Sequence, residues 1–251
     1  MFGLLGPNGA GKTTTVEILE GYRQRTSGEV SVLGFDPAKR QIELRRRIGI
    51  VLQSGGIYGH VTPREALRHW AGFYPQPRDV AEVLALSGLE EQADVRSRKL
   101  SGGQLRRLDL ALALVGDPEL MFLDEPTTGF DPEARRGAWE TVRRLRELGK
   151  TVLLTTHYLD EAQALADRVA IVKDGRVLAI GPPRELGVGA AHYRVAWREG
   201  SGELSERETD NPTQLLHELT SAALERGEQL QELSVGRPTL EDVYLELTTN
   251  A

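Results

Sequence analysis

The sequence predicts an α/β fold built on a mostly parallel sheet. Three observations predict it: short apolar runs alternate with stretches of helical period, the first run leads through a glycine-rich turn into a helix, and polar residues stand directly beyond the ends of later runs. With 251 residues, the chain has room for one large domain or a main domain with an appendage.

Met1–Leu5 reads as a buried strand and Thr14–Glu20 as the helix after it. Ser27–Gly34 reads as a turn and a short strand, and Ile48–Leu52 as a buried strand ending at Gln53, before a glycine-rich loop from Ser54 to Gly59. Thr62-Pro63-Arg64-Glu65 is a strong helix start, with threonine as N-cap, proline at the first helical position and glutamate reaching back. The helical pattern continues to Lys99. Further strands are expected at Leu120–Leu123, Thr151–Thr155 and Arg168–Val172, with a helical stretch between each pair. Asp174-Gly175 marks a hairpin turn, and Gly181-Pro182-Pro183 the end of the domain. Residues 190–251 read as a small α/β appendage. It has a strand at Tyr193–Trp197, a polar segment, a helix capped by Asn211-Pro212, a strand at Leu230–Val235 and a helix from Thr239.

The bulk properties exclude more than they suggest. A net charge of -6 argues against a polyanion-binding surface, and no nucleic-acid partner is expected. Without cysteine there is no disulfide framework, thiolate zinc site or cysteine nucleophile. No apolar run approaches the ~18 residues that suggest a membrane span.

Gly6-Pro7-Asn8-Gly9-Ala10-Gly11-Lys12-Thr13 fills the phosphate-binding pattern of a P-loop, in the strand-to-helix context the pattern needs. Glycines let backbone amides converge on phosphate oxygens, Thr14 opens the helix whose N-terminus adds partial positive charge, and Lys12 supplies a full one. The Thr13 hydroxyl can ligate Mg²⁺. Leu120–Leu123 ends in Asp124-Glu125. Alternate strand residues face opposite ways, so the two carboxylates are expected to divide the work. Asp124 holds Mg²⁺, and Glu125 orients the water that attacks the γ-phosphate. Leu100-Ser101-Gly102-Gly103-Gln104 offers a capping box, Ser101 with Gln104. Two adjacent glycines, each disfavoured in a helix by ~1 kcal/mol relative to alanine, fit better where backbone approaches a ligand closely.

These residues together resemble the ATP-binding subunit of ABC transporters, over residues 1 to about 185. The phosphate loop resembles the family's Walker A motif, Leu100–Gln104 its signature, and Leu120–Glu125 its Walker B strand with catalytic glutamate. The resemblance implies a P-loop NTPase fold with a helical subdomain at about 62–100, ATP and Mg²⁺ as cofactors, and further roles at three positions. Gln53 corresponds to the glutamine that touches metal and attacking water, Thr128–Asp131 to the D-loop, and His157 to the switch histidine that contacts the γ-phosphate. It also implies a homodimer in which the signature of each copy completes the phosphate loop of the other, with Asp131 of the D-loop among the nucleotide-binding residues. A separate membrane permease on the cytoplasmic face is the implied partner. Arg237–Leu247 resembles the ending of ATPases from the antibiotic- and multidrug-export branch, those similar to daunorubicin-resistance subunits. Read as a helix, the same stretch has Thr239 as N-cap and turns Leu240, Val243, Tyr244 and Leu247 inward.

Family members carry a stretch ahead of the Walker A strand, with two strands and an aromatic residue that stacks on adenine. The expectation is that Met1 is a misassigned start or that the chain is truncated, leaving a sheet edge unpaired around Val30–Leu33. Loss of the stacking, worth roughly 1–3 kcal/mol in nucleic-acid binders, is expected to weaken ATP binding. The alternatives are a cassette ATPase outside transport and a non-hydrolysing nucleotide-binding module.

Overall fold

The computed structural model describes residues 1–52, 56, 59–186, 193–199, 202–236 and 240–249. The chain forms two compact units, Met1–Leu178 and Ala179–Ala251.

The first unit carries a sheet of β1 (Phe2–Leu5), β2 (Ile48–Val51), β3 (Leu120–Asp124), β4 (Thr151–Thr156), β5 (Arg168–Lys173) and β6 (Arg176–Gly181), in the order β2-β3-β4-β1-β5-β6. The division between the units falls within β6. β1 runs parallel to both β4 and β5, and β3 parallel to both β2 and β4. Parallel strands need crossovers, so their faces are covered by helices and their sequences are apolar throughout. On one face Leu4, Phe122, Ala170 and Val172 pack with Val16 of α1 (Lys12–Glu20) and Leu44 of α2 (Ile42–Arg47). On the other, Met121, Leu123, Val152 and Leu154 pack with Leu110 of α5 (Gly102–Leu114), Val142 of α6 (Pro132–Glu147) and Leu165 of α7 (Leu159–Leu165). Phe122 and its neighbours Met121 and Leu123 thus enter opposite cores, as strand alternation requires.

Between β2 and β3 stand α3 (Pro63–Ala71) and α4 (Val80–Leu86), followed by a 3-10 turn at Ser97–Lys99. Their core is Leu67, Val83, Leu84 and Leu89, shared with Leu108 and Ala111 of α5. The Thr62 capping box forms as expected: the Thr62 hydroxyl accepts from Glu65 N, and Glu65 accepts from Thr62 N. The helical reading of 62–99 is otherwise corrected to short helices, since the chain leaves helix after Ala71 and again after Leu86.

A second correction concerns Val30–Leu33, which forms no strand. Val32 pairs only with Phe35 across a turn in which Leu33 (φ 52) and Gly34 (φ 85) take left-handed backbone. That turn folds the segment on itself. At Asp174-Gly175 the expected turn forms, with φ 48 and φ 73, and leads from β5 into β6.

The second unit holds a three-stranded antiparallel sheet, β7 (Tyr193–Glu199), β8 (Leu204–Thr209) and β9 (Leu230–Gly236), in the order β8-β7-β9. Asn211 caps α8 (Pro212–Arg226), whose Leu215 packs on Val195 and Trp197. β8 lies in the stretch between Trp197 and Asn211 that reads in the sequence only as a polar segment. The last helix, α9 (Leu240–Thr249), buries Leu240, leaves Tyr244 and Leu247 partly buried, and is tied to β7 by Arg194–Asp242 at 2.5 Å. Thr239 and the side chain of Val243 lie outside the described residues.

Candidate functional site: a phosphate loop facing two carboxylates

The loops that follow β1, β3 and β4 leave the sheet at its carboxyl end, where open α/β sheets bind ligands. Gly6–Gly11 follows β1, Glu125 follows β3, and His157 follows β4.

The phosphate loop is shaped by glycines that nothing else can replace. A Cβ on Gly6 would lie 2.2 Å from the Val172 carbonyl oxygen, and Gly9 (φ 83) and Gly11 (φ 97) are left-handed. Gly11 serves as N-cap of α1, so no side chain caps that helix, and its first turn carries no acid. The amides of Lys12, Thr13 and Thr14 are therefore available to an anion. Ala10 is buried, while Asn8 is exposed at the loop tip. Lys12 is only 5% exposed. Its Nζ donates to Gly6 O at 2.8 Å and Pro7 O at 3.1 Å, and lies 3.7 Å from Glu125 Oε1. Burial lowers the Lys12 pKa, and the neighbouring Glu125 and Asp124 carboxylates oppose that shift.

Asp124 and Glu125 both turn toward this loop, which corrects the expectation of opposite faces. β3 ends at Asp124, and Glu125 takes left-handed backbone at φ 45. The strand's alternation therefore stops one residue too early to separate the two carboxylates. Asp124 Oδ2 accepts from Thr13 Oγ1 at 3.4 Å, and its Oδ1 accepts from Thr155 Oγ1 at 2.5 Å. Glu125 N donates to the same Thr155 hydroxyl at 2.9 Å, while Glu125 Oε2 accepts from Thr128 Oγ1 at 3.0 Å. His157 Nδ1 stands 3.3 Å from Glu125 Oε1.

Mg²⁺ is usually held by one or two carboxylates, substrate phosphates and water. Thr13 and Asp124 present a hydroxyl and a carboxylate at one point beside the open helix start, a hard-oxygen set that fits the ion. Among the described residues no group of three or more His, Cys, Asp or Glu side chains gathers as a self-sufficient metal cage. Gln53, expected to share the metal and the water, lies outside the described residues.

The signature lies elsewhere. Ser101–Gln104 line a cleft of about 740 Å³ with Thr128–Asp131, and none of Gly6–Thr14 reaches it. The Ser101 hydroxyl accepts from Gln104 N at 3.3 Å, and Gln104 Oε1 accepts from Ser101 N at 2.9 Å, a closed capping box. A Cβ on Gly102 or Gly103 would meet nothing within 4 Å. Asp131 caps α6 by accepting from Glu133 N and Ala134 N.

Several side chains that support the site were not read from the sequence. Thr155 orients both Asp124 and Glu125. Arg106 of α5, almost fully buried, donates to Pro126 O at 3.0 Å, Asp124 O at 3.2 Å and Leu52 O, pinning the ends of β2 and β3. Glu161 of α7 is fully buried and accepts from Thr127 Oγ1 at 2.8 Å and Trp139 Nε1 at 3.2 Å. Position near the carboxyl end of a parallel strand offers a signal for Thr155 alone, since Arg106 and Glu161 stand on helices.

Residues 1–128 match the family described as ABC transporter. The chain is 39% identical over 271 aligned positions to the Nod factor export ATP-binding protein I of Rhizobium sp. (strain N33), covering 98% of this chain and 87% of that one. It is 40% identical to the linearmycin resistance ATP-binding protein LnrL of Bacillus subtilis (strain 168), over 74% of this chain and 61% of that one. With the Nod factor export ATP-binding protein I of Burkholderia orbicola (strain AU 1054) it shares 43% identity, again over 74% of this chain, and spans 62% of that protein's length. Among solved structures it resembles a dimeric ATP-binding cassette in a post-hydrolysis state with ADP and Pi. That likeness has a TM-score of 0.63 and 27% identity, over 73% of this chain and 85% of that one. A structure of an ATP-binding subunit of an ABC transporter matches 99% of this chain and 88% of its own, with a TM-score of 0.67 and 24% identity, which bears on the fold alone. Sequence match and site geometry agree: the chain belongs to the ABC transporter family.

Proposed function

We propose that the chain binds ATP with Mg²⁺ and hydrolyses it as the ATP-binding subunit of an exporter, working as a homodimer on a separate membrane permease at the cytoplasmic face. The observation that carries this reading is the convergence of Lys12, Asp124, Glu125 and His157 around one uncapped helix start. Gly6–Thr14 cradle the phosphates, and Thr13 and Asp124 would hold Mg²⁺, which would supply positive charge to the transferred phosphoryl group. Glu125 Oε1 polarises the attacking water, and His157 holds the γ-phosphate side of the site. Gln53 is assigned to metal and water by the family resemblance alone.

The homodimer is supported by the signature's position. Ser101, Gly102, Gly103 and Gln104, with Asp131 beside them, line a cleft that none of Gly6–Thr14 reaches, and among the described residues no neighbour requires glycine at 102 or 103. A second copy's nucleotide accounts for that requirement. Among the described residues no helix is long and apolar enough to cross a membrane. The names of the relatives, which speak of Nod factor export and linearmycin resistance, support the reading of an exporter with a drug-like or lipid cargo.

Phosphate release from ATP, measured across a dilution series, tests the reading. Turnover per molecule falls on dilution if two copies share each site. Turnover that stays constant at every dilution and ignores Ser101→Ala removes the shared site, and a chain that binds ATP without turnover favours a non-hydrolysing module.

A further inference from the structure

Glu125 is held by two neighbours from different parts of the chain. Thr128 Oγ1 donates to its Oε2 at 3.0 Å, and His157 Nδ1 stands 3.3 Å from its Oε1. Thr128 belongs to the loop between β3 and α6, and His157 to the turn between β4 and α7. The carboxylate therefore keeps its direction only if loop and turn keep their spacing.

Glu161 ties the two together. It lies in the first turn of α7, and its partner Thr127 is the residue beside Thr128. Both side chains are 0% exposed, and Thr127 Oγ1 donates to Glu161 Oε1 at 2.8 Å. Trp139 Nε1 of α6 donates to the same oxygen at 3.2 Å, so one atom gathers the loop, α6 and α7. A carboxylate is a costly filler for such a place. Burial raises the Glu161 pKa, and its hydrogen bonds oppose that rise without cancelling it. An apolar side chain of similar size would fill the volume at less cost, which leaves the acceptor oxygen as the reason for the acid.

We propose that Glu161 is a positioning residue for ATP hydrolysis, fixing the Thr127-Thr128 loop against the helix that follows His157 and so aiming the Glu125 carboxylate at the attacking water. It acts through Thr127 and touches no reacting group. The inference rests on the reading of Glu125 as the group that polarises the water, and it names the residue that keeps that group in line. Such alignment matters because a displacement of about 1 Å can cost ~10²-fold in rate.

The test uses the full chain, with phosphate release followed against ATP concentration and stability followed in urea. Thr127→Val and Glu161→Met each remove one end of the hydrogen bond at nearly constant volume. Each lowers kcat ~10- to 100-fold while KM for ATP stays within ~2-fold, and the double variant falls no further than the lower single one. Glu161→Gln keeps an acceptor oxygen and retains kcat within ~3-fold. Leu165→Ala, at the far end of α7, loosens the same helix and leaves kcat per folded molecule unchanged. Unchanged kcat in both single variants, additive losses in the double one, or an equal loss in Glu161→Gln or in Leu165→Ala each overturn the proposal. Should Glu161→Met fail to fold, Thr127→Val and Glu161→Gln carry the test. Crystal structures of the parent and of Thr127→Val add a readout free of turnover: the separation of His157 Nδ1 from Glu125 Oε1 lengthens by ~1 Å or more. A parent without turnover sinks the ATPase reading; the opened contact then leaves the positioning standing, and an unchanged contact sinks both. Turnover by the parent and equally by Thr127→Val sinks the positioning alone.

Discussion

Two helices of this chain have glycine at their starts, and they are built for opposite circumstances. α1 starts at Lys12 behind Gly11 with no side-chain cap, and Gly6 is required by the chain itself because a Cβ there would strike the Val172 carbonyl. α5 starts at Gly102 behind Ser101, satisfies its own end through the Ser101–Gln104 capping box, and has glycines that meet nothing. An uncapped start surrounded by a lysine, two carboxylates and a histidine is complete except for an anion. A capped start with open space over its glycines is complete as a fold, and its glycines answer to something outside the chain. Under the proposed function the first start serves chemistry within one copy and the second serves it between copies.

The largest expected effect breaks the chemistry of the first start. Glu125→Gln keeps the side chain's size and its contacts with Thr128 and Thr155, but removes the charge that faces Lys12 and the water. Phosphate release falls ~10²- to 10⁴-fold, while bound ATP persists in a nucleotide-retention assay. Turnover within a few-fold of the unsubstituted chain would sink the assignment of Glu125.

The contrast between the glycines comes next. Gly6→Ala forces a Cβ against a backbone carbonyl that cannot swing away, and overpacking of this kind costs ~1–3 kcal/mol in urea melts. Gly102→Ala leaves stability unchanged or raises it by up to ~1 kcal/mol, since alanine is the better helix former. If the space over Gly102 belongs to a partner's nucleotide, the same variant lowers turnover although the monomer is no less stable. Equal stability losses at both positions would erase the contrast.

Much of this contrast was legible in the sequence because it is local. The demands of the phosphate loop, the two capping boxes and the Asp174-Gly175 turn are each settled within a few residues. What escaped depended on contacts far apart in the chain or on one unusual dihedral. The expected separation of Asp124 from Glu125 failed because Glu125 steps out of β-strand geometry at φ 45. The apolar Val30–Leu33 resembled a strand, and only the left-handed pair Leu33-Gly34 turns it back on itself. β8 was missed because Leu204–Thr209 is exposed almost throughout and carries no alternating apolar face, its order coming from pairing with β7. Thr155, Arg106 and Glu161 have no local signal, since each acquires its role from residues 18 to 54 positions away.

α1 also contrasts with itself, an anion-seeking start against a buried acid at its end. Glu20 titrates near 4.5 as a free carboxylate and at about 7 in the fold, so its charge penalises the folded state increasingly from pH 4.5 to 7, and fully above pH 7. Glu20→Gln therefore gains stability relative to the parent as pH rises from 4 to 8. The gain is about 1–2 kcal/mol at the upper end, after allowing for solvent screening of a partly solvated group. A difference in melting temperature that is flat across this range would show that solvent reaches the carboxylate.

Ser101→Ala carries the smallest effect and asks the most of the comparison. The Ser101 hydroxyl caps α5, so its removal costs ~1 kcal/mol of stability whatever the helix start binds. That loss is a property of one copy and is independent of protein concentration. A role toward a second copy's nucleotide adds something capping cannot produce: turnover falls more than the loss of folded protein accounts for, and half-maximal turnover moves to higher protein concentration. Ser101→Asp separates the two further, since aspartate caps as well as serine but places a negative charge where a γ-phosphate would sit. A stable Ser101→Asp chain with normal turnover would leave the start of α5 with a structural duty alone.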